Sequence, residues 1–143
     1  MKTVSLMILF FGLLLSACSV KPRPILEGVD QCAFCKMTVM DKKYASEIVT
    51  NTGKIYVFDD AHCMHAFLSQ SMISRDEVQQ ILLTDFNHPD ILLEADQAIL
   101  FSSETLRTPM NGNVIALSDS NALKALLRSM QGESFSFHDW LPN

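Results

Sequence analysis

Two stretches of this chain repeat one local plan, and that repeat limits what the chain can fold into. Phe58-Asp59-Asp60 with the following Ala66-Phe67-Leu68 superposes on Leu117-Ser118-Asp119 with Ala125-Leu126-Leu127 at the same spacing. Each copy joins the end of an apolar run to an aspartate suited to capping a helix, and then to an apolar helical stripe. Extended into its surroundings, the pattern predicts two strand-strand-helix (ββα-type) units. In the first, strands at 44–50 and 54–58 are joined by an Asn51-Thr52-Gly53 hairpin turn. A helix capped by Asp59 or Asp60 then runs to about Ser71 and buries Ala61, Met64, Phe67, Leu68 and Met72. A short capped helix at 74–77 leads into a strand at 81–84, and residues 86–90 form a turn. In the second unit, strands at 97–102 and 114–117 flank a connection at 106–113, and Ser118 or Asp119 caps a helix at 121–130. Residues 134–137 close the second sheet. The expectation is an α+β fold: one compact domain over 31–143, with units at about 31–84 and 91–143.

The 143 residues, 48% of them apolar, suit a domain of this size. The net charge of −5, with no Lys/Arg run longer than two, argues against a nucleic-acid surface. Four cysteines are too few for a disulfide-dense scaffold.

Residues 4–15 are an apolar run preceded by Lys2, too short to span a bilayer comfortably. The run ends in Leu15-Ser16-Ala17-Cys18, which resembles a bacterial lipoprotein cleavage box. On this reading residues 1–17 are a signal peptide, Cys18 is lipidated, and residues 18–30, with Pro22, Pro24 and Gly28, are a flexible tether. The alternative is an ordinary secretory signal that happens to contain a cysteine. A lipidated chain would sit on a membrane of the bacterial envelope and face the periplasm, with Ser19 after Cys18 favouring the outer membrane. Three thiols then remain, an odd number for an exported protein and a pointer to reactive or metal-binding cysteine.

Those thiols sit in Cys32-Ala33-Phe34-Cys35-Lys36-Met37 and His62-Cys63-Met64-His65. Thiolate with thioether favours Cu(I). If residues 35–37 are extended, Cys35 and Met37 share a face. Met110, on the Pro/Gly-flanked loop 108–112, is hard to explain as core. Cys63 falls in the first helical turn, where the dipole favours thiolate. Each residue has a plainer reading: a Cys32–Cys35 disulfide, Met37 and Cys63 as core, Asp60 as a cap and His65 as a solvated helix residue. A competing metal set, Cys32, Cys35, Cys63 and His62, matches tetrahedral zinc in a structural module, and a mixed outcome is also open, with copper at the Cys/Met site and a second ion such as zinc at His62 and Cys63. A thiol-disulfide enzyme using Cys32 and Cys35 fits less well, because residues 36–40 read as strand and not as the helix such a motif opens. No Gly-flanked nucleophile or phosphate loop marks an enzyme.

Taken together, the box at Cys18, Cys32-Ala33-Phe34-Cys35-Lys36-Met37, Ile55-Tyr56-Val57-Phe58-Asp59-Asp60, and Thr108-Pro109-Met110 followed by Gly112 and Val114-Ile115-Ala116 resemble the NosL family. These are lipoprotein copper chaperones of nitrous-oxide reductase maturation. The resemblance implies two related ββα-type units and a periplasm-facing carrier of one Cu(I). That ion passes to a copper transporter or to copper-enzyme maturation proteins at the membrane. It also implies Cys35, Met37 and Met110 as ligands, with Cys32 and Cys63 matching only part of the pattern. Lys36 and Asn111 stand where that pattern commonly has glycine.

Overall fold

In the computed structural model, residues 21–141 are described; the expected signal peptide and lipidation site at Cys18 lie outside them. The first hairpin is β1 (Ser46–Thr50) and β2 (Ile55–Phe58), antiparallel with Ser46 opposite Phe58 and Val49 opposite Ile55. At its turn Gly53 takes a φ of 90°, which a side chain would resist. Asp60 then caps α1 (Ala61–Ser69), its carboxylate accepting the His62 N–H at 2.8 Å. The helix ends earlier than its apolar spacing predicts. Ser71 adopts a positive φ, and Met72 is left 57% exposed, outside the buried stripe.

Strand β3 (Val78–Thr84) pairs with the other edge of β1, and β4 (Leu92–Glu94) pairs with β3, giving the order β2-β1-β3-β4. The sequence reading assigned residues 91–94 to the second unit and gave them no strand. They extend the first sheet because Leu82, Leu83 and Thr84 hold their backbone in register. The second sheet, in order β6-β5-β7, is built from β5 (Ile99–Ser102), β6 (Val114–Leu117) and β7 (Glu133–Ser136). Helix α2 (Ser120–Ser129) packs on this sheet, and a last turn, α3 (Phe137–Trp140), follows β7. A parallel bridge between Asp85 and Ala116 links the sheets, with the Phe86 N–H on the Ala116 carbonyl at 2.9 Å.

The fold is therefore α+β as expected, and its main core lies around α1. Ile48, Phe58 and Leu83 of the first sheet, Cys63, Met64 and Phe67 of α1, and Leu100, Val114 and Ala116 of the second sheet form one buried cluster. A smaller layer of Ile25, Val39, Ala45 and Val57 accompanies the first sheet. Strand β1, paired on both edges, is buried at all five positions.

Ile25 belongs to the stretch expected to be a flexible tether, and the described part of that stretch is docked. Ile25 is buried, Arg23 forms a two-point ion pair with Asp30 (2.7 and 2.9 Å), and the Arg23 N–H reaches Glu47 at 3.3 Å. Burying one branched side chain and closing one bidentate pair outweighs the turn-forming bias of Pro22, Pro24 and Gly28. Glu47 itself is fully buried on β1, and burial raises its pKa. Among the described residues no helix is long and apolar enough to cross a membrane.

Candidate metal centre

Cys32 and Cys35 occupy a tight turn pinned at three points. The Lys36 N–H reaches the Cys32 carbonyl at 3.1 Å, the Cys32 N–H reaches the Met37 carbonyl at 2.8 Å, and the Ala33 N–H reaches the Val57 carbonyl at 2.7 Å. The last of these docks the turn on the end of β2, directly before Asp59 and the N-terminus of α1. Cys63, one turn into α1, meets the two loop thiols there. One ligand atom from each of Cys32, Cys35, Asp59 and Cys63 lies within 4.8 Å of the others. All three thiols are free. Cys32, Cys63 and Asp59 are buried and Cys35 is half-buried, so the cluster reaches solvent on the Cys35 side.

The thiols are electrostatically unequal. A hydrogen bond from Cys63 pulls the Cys32 pKa down to about 6, helped by backbone N–H groups of Asp59, Cys35 and Phe34 and opposed by burial. Burial pushes Cys35 up to about 11, and its thiol donates to Asp59 Oδ1 at 3.4 Å. Cys63 is pushed up as well, first because it donates to Cys32 and then by burial and the nearby negative groups. This reverses the expectation that the helix N-terminus would favour a Cys63 thiolate. A dipole effect of about 1 kcal/mol loses to a neighbouring thiolate at hydrogen-bond range. Of the three thiols, Cys32 is the one whose deprotonation the cluster favours, while the other two are turned toward acceptors.

Asp59 was not singled out by the sequence reading. The available signal was a pair of adjacent aspartates where one cap suffices. Asp60 takes the cap, which leaves Asp59 to the thiols. Asp60 also accepts the Met110 N–H on its second oxygen at 2.8 Å, so a single carboxylate starts α1 and anchors the 108–112 loop beside it. Gly112 closes the same contact: a Cβ there would sit 2.3 Å from the Cβ of His62. His62, a member of the tetrahedral zinc set, is exposed and lies against this loop; Asp59 is the fourth group gathered with the thiols. Met110 is partly buried against the main core, whereas Met37 is 53% exposed. Residues 35–37 are not extended, because Lys36 takes a φ of 67°. Cys35 and Met37 are thus set by a left-handed bend and not by strand alternation.

A family model described as NosL matches residues 24–142. The chain belongs to the NosL family. Among solved structures, the crystal structure of the copper chaperone NosL from Shewanella denitrificans superposes with a TM-score of 0.70 at 15% identity, covering 84% of this chain and 95% of that one. At that identity the likeness establishes the NosL fold. No curated protein matches the chain by sequence. Both departures from the glycines common in the NosL pattern, Lys36 and Asn111, sit at positive φ (67° and 55°). Both side chains are strained in that conformation, which asparagine tolerates better than lysine.

Proposed function

We propose that this chain is a Cu(I) chaperone, lipid-anchored at Cys18 and facing the periplasm from the outer membrane. It would deliver copper for maturation of a copper enzyme, nitrous-oxide reductase, by way of a membrane copper transporter or the enzyme's maturation proteins. The observation that carries this reading is the meeting of Cys32, Cys35 and Cys63 at one half-open corner, with Met37 on the same loop and Met110 tethered through Asp60. Thiolates supply the strong soft donors, and the thioethers of Met37 and Met110 supply weaker, exchangeable ones. Cys35, the most exposed thiol of the three, is the entry point at which a receiving protein can exchange ligands. Cys32 and Cys63 hold the ion from beneath. Asp59, which accepts the Cys35 S–H before loading, is placed to take the proton that Cys35 gives up as it binds and to pass it to solvent. Because Cys35 and Cys63 are protonated before loading, uptake releases protons and affinity rises with pH.

The test is an anaerobic titration of the reduced full chain with Cu(I) against a chromogenic competitor, with zinc measured on the same sample. One Cu(I) per chain, lost in Cys35→Ser and weakened in Met37→Ala and Met110→Ala, is the expected result. Stoichiometric zinc that Cu(I) does not displace, with no effect of either methionine change, would replace this reading with a structural metal module.

A further inference from the structure

The hairpin that carries the thiols also carries an apolar outer face. Its two arms meet at the Gln31–Thr38 bridge, beside which the Val39 N–H binds the Asp30 carbonyl at 2.9 Å; Val29 lies in the turn just before the bridge and Met40 two residues past it. Val29 is 68% exposed and Met40 74%. Leu26, 51% exposed, opens the turn whose carbonyl receives the Val29 and Asp30 N–H groups. The Lys42 N–H binds the Glu27 carboxylate at 2.8 Å, and the Gly28 N–H binds the Val39 carbonyl at 2.8 Å, so the face is held rigid. Two further observations point to what covers it. The apolar run and Cys18 precede Lys21, so Leu26 lies only eight residues after the proposed lipidation site in the sequence. The charge is also lopsided. Residues 21–54 hold six Lys/Arg against four Asp/Glu, whereas residues 55–143 hold four against twelve.

We propose that Leu26, Val29 and Met40 rest in the interfacial layer of an anionic phospholipid bilayer. The segment that carries them is positive on balance, which suits anionic headgroups better than the acidic remainder of the chain does. This rests on the membrane-anchored reading above and adds an orientation to it: the thiol corner is held at the bilayer surface instead of swinging on a tether. Three side chains are a weak binder alone, but the anchor makes their contact intramolecular, so a small apolar face is enough.

A Val29→Trp chain in a Trp140→Phe background tests it, with Leu127→Trp in the same background as the probe on α2, where Leu127 is 48% exposed. The full chains are bound to vesicles of phosphatidylethanolamine and phosphatidylglycerol, part of the lipid being brominated near the top of the acyl chain. Flotation of the vesicles reads anchoring separately. The V29W chain is expected to show blue-shifted, quenched emission and the L127W chain solvent-like emission. Adding Leu26→Glu and Met40→Glu should restore the V29W chain to solvent-like emission. A chain that does not float overturns the anchored reading and this proposal with it. A floating chain whose V29W emission matches that of L127W overturns this proposal alone and leaves the face to a protein partner.

Discussion

Helices α1 and α2 start with the same device and end in different surroundings. Each has an aspartate N-cap whose carboxylate accepts an N–H two residues on, and each carries an apolar stripe. Yet α1 buries Ala61, Cys63, Met64, Phe67 and Leu68, whereas no residue of α2 is fully buried. The difference lies in the partners. Helix α1 packs against residues of both sheets, while α2 rests on the second sheet alone, over the cluster of Phe101, Ile115 and Leu117. A duplicated local plan thus yields one structural helix and one that can hold chemistry, because a site needs groups converging from several directions. At the position of Cys63, α2 has Ala122, and the second unit contains no cysteine to meet it.

The widest gap is expected in the cores of the two helices. Phe67 packs on Tyr56 and Phe58 at ring-centroid distances of 5.0 and 5.2 Å, so Phe67→Ala should lose about 3–5 kcal/mol. Leu126→Ala, at the matching but half-exposed position of α2, should lose about 1–2 kcal/mol in the same urea unfolding experiment. Equal losses would mean that the two helices are equally integrated after all.

Next come the caps. Asp60→Ala strips the cap of α1 and orphans the partly buried Met110 N–H, for about 2 kcal/mol. Asp119→Ala removes an exposed cap, for about 1 kcal/mol. Only the former should also raise hydrogen exchange across residues 108–112, and similar exchange in both variants would break the link between cap and loop.

Copper sharpens the comparison at the level of function. Cys63→Ala should weaken Cu(I) binding by about tenfold, near 1.4 kcal/mol. Ala122→Cys should add no Cu(I) site, because it packs on the apolar cluster of the second sheet and the metal-suited cluster among the described residues gathers at Cys63. Full affinity in Cys63→Ala would leave Cys63 as core. The smallest effect is predicted at the bend of the metal loop. Lys36→Gly relieves the positive φ and should stabilise the fold by less than about 1 kcal/mol, visible as a small rise in the urea midpoint.

Much of this molecule was legible because much of it is local. The Asn51-Thr52-Gly53 turn, the caps Asp60 and Asp119 and the helical stripes each follow from residues within one turn or one hairpin of each other. The three thiols were equally plain, since few residues other than cysteine and methionine offer soft donors. What the sequence could not show were effects of distance along the chain. Leu92–Glu94 became a strand by pairing with β3, and Ile25 and Arg23 docked on a sheet more than twenty residues away.

The same division runs through the site. The sequence by itself determined the donor chemistry, the two-fold ββα plan and the places where each helix starts, because these rest on side-chain identity and near-neighbour hydrogen bonds. Only the tertiary structure decided that Asp59 and not His62 joins Cys32, Cys35 and Cys63. It also decided that Asp60 serves both helix and loop, and that deprotonation is favoured at Cys32 and disfavoured at the helix-borne Cys63. Those outcomes depend on which groups come within a few ångströms in a water-poor corner, where one hydrogen bond or one neighbouring charge outweighs the intrinsic preference of any residue.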